Sequence, residues 1–103
     1  MSYAVKILTL ADSDAIEAAL WYDAQCAGLG EEFMIEVDAA AKRLTDHPEI
    51  HRVRFAEVRR APVHRFKFYG VFYLIQGQEV WVIAVHHGRR HSRWLRERRK
   101  KLG

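Results

Sequence analysis

The sequence predicts an α+β domain with the element order β-α-α-β-β-β-α, on three observations. Apolar residues recur at helical spacing through residues 11–46, and the pattern turns to period two after Pro48. Two unbroken apolar runs, residues 71–75 and 80–85, then flank Gly77. The expected architecture is a mostly antiparallel sheet with a helical hairpin packed on one face and a short basic C-terminal helix. A chain of 103 residues makes a single domain, 1–103.

Each element has its own warrant. Residues 3–8 alternate and carry β-branched and aromatic side chains, which predicts a first strand. Thr9 or Asp12 offers a helix cap, and Asp12, Asp14 and Glu17 suit the positive end of a helix dipole. Ile16, Ala19, Leu20, Ala24 and Ala27 then supply an apolar stripe for a helix over 11–27. Gly28 and Gly30 break it. Phe33, Val37, Ala40, Ala41 and Leu44 predict a second helix from Leu29 to Asp46, stopped by His47-Pro48.

Beyond Pro48, Val53 and Phe55 alternate with Arg52 and Arg54, predicting a strand that runs on to Arg60. Ala61-Pro62 is the expected turn. The next strand starts at Arg65, with Arg65 and Lys67 on one side and Phe66 and Phe68 on the other. Gly77 marks a tight hairpin between the two apolar runs, which read as central strands covered on both faces. Ser92 is the expected cap of a last helix holding Trp94 and Leu95. Trp21, Tyr22 and Trp81 read as core aromatics.

Half the residues are hydrophobic, so a core needs no disulfide, and the lone Cys26 cannot form an internal one. The N-terminus lacks the apolar run of a signal peptide and no stretch approaches transmembrane length, so a cytoplasmic protein with no membrane role is expected. Charge is divided sharply. Residues 1–51 carry three cations against ten carboxylates, net −7; residues 52–103 carry fourteen cations against Glu57, Glu79 and Glu97, net +11. Such a field steers an anionic partner, either nucleic acid or an acidic protein segment.

Two constellations lie in the basic half. His86-His87-Gly88-Arg89-Arg90 follows the last apolar run. Its arginines suit phosphate oxygens, and its imidazoles titrate near neutrality, a combination that RNA cleavage requires. Arg52, Arg54, Arg59, Arg60, Arg65 and Lys67 form a band over two predicted strands, on the sheet face left open by the helices. A metal site is not expected: there is no cysteine pair, and His87 and His91 straddle a turn. No cofactor motif is present.

An ordered set of residues resembles a known family. It comprises Trp21-Tyr22, Gly30-Glu31-Glu32-Phe33, Pro48, Val58-Arg59-Arg60, Arg65-Phe66 through Phe72-Tyr73, and Ala84-Val85-His86-His87-Gly88-Arg89-Arg90. Together, from about Tyr3 to Arg98, they resemble the RelE/ParE toxin superfamily, and more closely its ParE-like, plasmid-stabilisation branch. The resemblance implies a growth inhibitor held inactive by a cognate acidic antitoxin that wraps the toxin. RelE-type members cleave messenger RNA on the ribosome; ParE-type members inhibit DNA gyrase by contact.

Nucleases of the superfamily usually carry an arginine just before the aromatic-Tyr pair of the third strand, and a tyrosine or histidine near the chain end. Here Gly70 and Trp94 stand nearest those places. The resemblance therefore implies a gyrase inhibitor that is not an enzyme. The alternatives are an endoribonuclease using His86 or His87 with Arg89, Arg90 and Arg59, and a basic binding module without toxicity. Arg59, Arg60, Arg65, Lys67, Arg90 and Trp94 are the expected partner-binding residues.

Overall fold

The computed structural model describes residues 2–88 and 92–102, with Ser92 described by its backbone alone. Strand β1 (Ala4–Ile7) leads into helices α1 (Thr9–Gln25) and α2 (Leu29–Arg43). A 3-10 turn at Pro48–Ile50 follows. Four strands come next: β2 (Val53–Phe55), β3 (Val58–Pro62), β4 (Tyr69–Gln76) and β5 (Glu79–His87). Helix α3 (Ser92–Lys100) closes the chain. One sheet holds the strands in the order β1-β5-β4-β3-β2. β1 runs parallel to β5 and the other pairs are antiparallel, so the predicted α+β architecture is the observed one.

The helical hairpin closes at backbone contact. A Cβ on Gly30 would lie 2.3 Å from the carbonyl oxygen of Ala19, so no larger residue fits. The Gly30 N–H in turn donates to Asp23 Oδ1 at 2.7 Å, satisfying one of the amides that the start of α2 leaves open. α2 buries Phe33, Val37, Ala40, Ala41 and Leu44, the stripe the sequence predicts.

α1 presents the other side from the one expected. Ile16, Leu20 and Trp21 are about half exposed or more, at 48%, 66% and 57%, whereas Ala11, Ala15 and Ala18 are buried. Tyr22 does pack on the core, against Phe33 and Phe66. The helix carries apolar residues on two sides. The sheet face it crosses is already filled by Val71, Tyr73, Val82 and Val85, so the alanine side alone lets it approach closely.

Two strand predictions are also corrected. The single strand expected from 53 to 60 is a hairpin: Ala56 and Glu57 take left-handed φ values of 43° and 70°, and Phe55 pairs with Val58. The strand expected from Arg65 begins only at Tyr69. Arg65 has φ 71°, and residues 63–68 form a compact turn in which the amides of Phe66 and Tyr69 donate to the carbonyls of Val63 and Phe66. Ala61-Pro62 is not that turn but the end of β3, paired with Val71 and Gly70.

The face away from the helical hairpin is not fully open. Val58, Phe72, Leu74, Ile83 and Ala84 build a second, smaller core there, closed by Leu95 of α3. Among the described residues no helix is long and apolar enough to cross a membrane.

Candidate partner-binding cleft

Strand alternation sends two adjacent arginines to opposite faces. Arg59 turns to the hairpin side, where its Nη1 donates to the carbonyls of Glu49 (3.1 Å) and His51 (2.6 Å). It braces the turn after α2. Arg60 turns to the α3 side with Val58. Its guanidinium lies directly over Gly70, the β4 residue two pairs along the register: a Cβ there would fall 2.4 Å from Arg60 Nε and 2.7 Å from Cγ. The space a side chain would fill at position 70 is occupied by a cation from the neighbouring strand.

Among the described residues, Arg60 is one of four cations, with Arg54, Lys67 and Arg96, around a cleft of roughly 490 Å³ between the sheet and α3. Phe55, Phe72 and Leu95 supply its apolar walls, and no carboxylate is among its described lining residues. Arg96 lies over the Phe55 ring, 4.7 Å from its centroid. Burial, and then the nearby Arg54, push the Arg60 guanidinium below its ordinary pKa. Both causes disfavour an uncompensated positive charge at that place.

His86 and His87 close one end of the cleft, each half-buried. The His86 ring packs 4.2 Å from that of Trp94, and the Arg98 guanidinium lies 4.3 Å from the same indole. His87 stacks on Phe68, with centroids 5.6 Å apart and 14° between planes, and meets Tyr69 edge-on. On their far side lies a groove lined by Asp14, Glu17 and Trp21. The imidazoles thus divide a cationic cleft from an anionic groove.

Of the residues singled out in the sequence, the structure brings together Arg60, Lys67, His86, His87 and Trp94. Arg59 faces away, and Arg65 pairs with Glu32 at 2.7 Å on the hairpin side. Arg89 and Arg90 lie outside the described residues, as does the side chain of Ser92. Arg54, read in the sequence as part of the basic band, and Arg96, which the sequence reading missed, are also members of the site. Period-two spacing from Arg54 into the basic band was a usable signal for the first, but nothing in the sequence places Arg96 against Phe55. Trp21, expected in the core, lines the anionic groove instead.

The cleft's chemistry is chiefly that of grip. Its lining offers no phenol: Tyr73 points to the hairpin face, where its hydroxyl donates to the Pro48 carbonyl at 2.5 Å, and burial pushes its pKa up to about 12. Among the described residues no group of three or more His, Cys, Asp or Glu side chains could hold a metal ion.

The chain belongs to the ParE toxins of type II toxin–antitoxin systems, parDE; the family model matches residues 5–92. Membership makes it the toxin component of such a pair, with a cognate antitoxin as its partner. Among solved structures its fold is similar to a chain of the chromosomal ParDE TA system from P. aeruginosa. That likeness has a TM-score of 0.74 at 13% identity, over 82% of this chain and 95% of that one. No curated protein matches the sequence.

Proposed function

We propose that this toxin arrests growth by binding DNA gyrase in the cytoplasm, without cleaving RNA, and that an acidic segment of its antitoxin docks in the cationic cleft. The observation that carries the reading is the seat over Gly70. The position where the superfamily's nucleases place an arginine has no side chain here and is filled by Arg60, which comes from β3 and is turned into a cleft whose described lining residues include no phenol and no carboxylate. Trp94, near the chain end, is packed on His86 and carries no exchangeable acid proton. Electrostatic complementarity between the cleft and an acidic partner supports the docking half of the reading.

The test is purified chain added to a gyrase supercoiling reaction and, separately, to a translation reaction whose transcripts are then mapped. Inhibited supercoiling with intact transcripts is expected. Cut transcripts would overturn the reading in favour of a ribosome-dependent endoribonuclease. One observation favours that second reading: His86 and His87 stand at the end of a cleft that also holds Arg60 and Lys67, an acid–base pair beside phosphate-binding cations.

A further inference from the structure

We propose that Arg60 is the anchor of the cleft and that its ligand is a single carboxylate side chain, held between apolar neighbours on the docked acidic segment. This rests on the reading that the antitoxin docks in the cleft, and names the contact that would select it.

The argument is a contrast among arginines. Arg98 has Asp14, Arg65 has Glu32, Arg99 has Glu57 at 3.8 Å, and Arg59 has two backbone carbonyls. Arg60 is half-buried. Yet among the described residues its contacts are a long hydrogen bond to the Lys67 carbonyl, 3.4 Å, and the Phe72 ring, 6.0 Å from the centroid. A half-buried guanidinium without a carboxylate is costly, and is stabilised when an anion arrives to complete it. Gly70 and Gly88 keep the place open: a Cβ on Gly88 would lie 3.3 Å from Arg60 Nη2.

The walls decide which anion. Phe55, Phe72 and Leu95 flank the guanidinium, while Arg54 and Arg96 stand exposed at the rim. A peptide that alternates acidic and aliphatic residues fits both parts, burying its apolar groups on the walls and one carboxylate on Arg60. A nucleic-acid backbone carries a hydrated charge at every step and would need several enclosed cations in line; among the described residues one lies inside.

The test is calorimetric titration of the purified chain with a synthetic peptide alternating glutamate and leucine, broken by serines for solubility, and with a single-stranded oligouridylate. Arg60→Gln is expected to weaken the peptide at least about tenfold. Arg60→Lys restores it only in part, because an ammonium cannot make the forked contact. Gly70→Ala, which keeps the charge but displaces the side chain, is expected to weaken it too, and Arg52→Gln, on the exposed segment outside the cleft, is not.

Weakening by Arg54→Gln and Arg96→Gln, with Arg60→Gln at full affinity, would overturn the anchor and leave cleft docking standing. No effect from any of the three would overturn docking itself. An oligouridylate that displaces the peptide in an Arg60-dependent way would assign the seat to phosphate and overturn the carboxylate.

Discussion

Arg98 on α3 forks onto Asp14 on α1, Nη1 to Oδ2 at 2.5 Å and Nη2 to Oδ1 at 3.2 Å, along the edge of β5 that faces away from β4, beyond the end of β1. β1 pairs with β5 only as far as Val82. Past that point the two side chains take over the ladder: Asp14 accepts the amide of Val85 at 3.1 Å, and Arg98 donates to the carbonyl of Ile83 at 3.2 Å. An ion pair therefore stands in for a missing strand and ties the last helix to the first.

Asp14→Asn should uncouple that tie. Both side chains are about nine-tenths buried, so the loss lies well above that of an exposed pair, about 2–4 kcal/mol in urea unfolding. The double variant with Arg98→Gln should cost less than the sum of the single ones. Strict additivity in that cycle would show the pair to be uncoupled.

Gly30→Ala should destabilise the hairpin by about 2–3 kcal/mol, because the new methyl meets the backbone of Ala19 and one helix must retreat. A midpoint of thermal unfolding unchanged from the parent would refute the contact.

Leu20→Lys and Trp21→Lys should leave the unfolding free energy within about 0.5 kcal/mol of the parent in urea titration, since both side chains are mainly in solvent. A loss of several kcal/mol would restore the bulky side of α1 to the core.

Tyr73 carries a pH signature. Its phenol titrates at about 12 when folded, against 10.0 ordinarily. The unfolded chain loses that proton first as pH rises. The contribution is complete below about pH 10 and is lost between about 10 and 12. Stability measured across that window should fall less steeply in Tyr73→Phe, which itself costs about 1–2 kcal/mol by leaving the Pro48 carbonyl unpaired.

Much of this fold could be read directly. The continuous runs that became β4 and β5, the Gly77 turn and the Phe33–Leu44 stripe depend on patterns that local chemistry enforces. What escaped shares one cause: tertiary contacts overrode residue type. Ala56 and Glu57 turn a hairpin without glycine or asparagine. α1 offers two apolar sides, and only the filled sheet face decides between them. In the candidate cleft, the basic residues were visible as a band, but their division was not. Whether Arg59 or Arg60 enters depends on a register set by the unsignalled turn before them.

The pairing of β1 with β5 also fixes when the toxin comes into being. Residues 4–7 find their strand partners at residues 79–82, and Asp14 meets Arg98 near the very end of the chain. A growing polypeptide on the ribosome holds a helical hairpin with no finished sheet to lie on, and a cleft without its α3 wall. Such distant pairings form late.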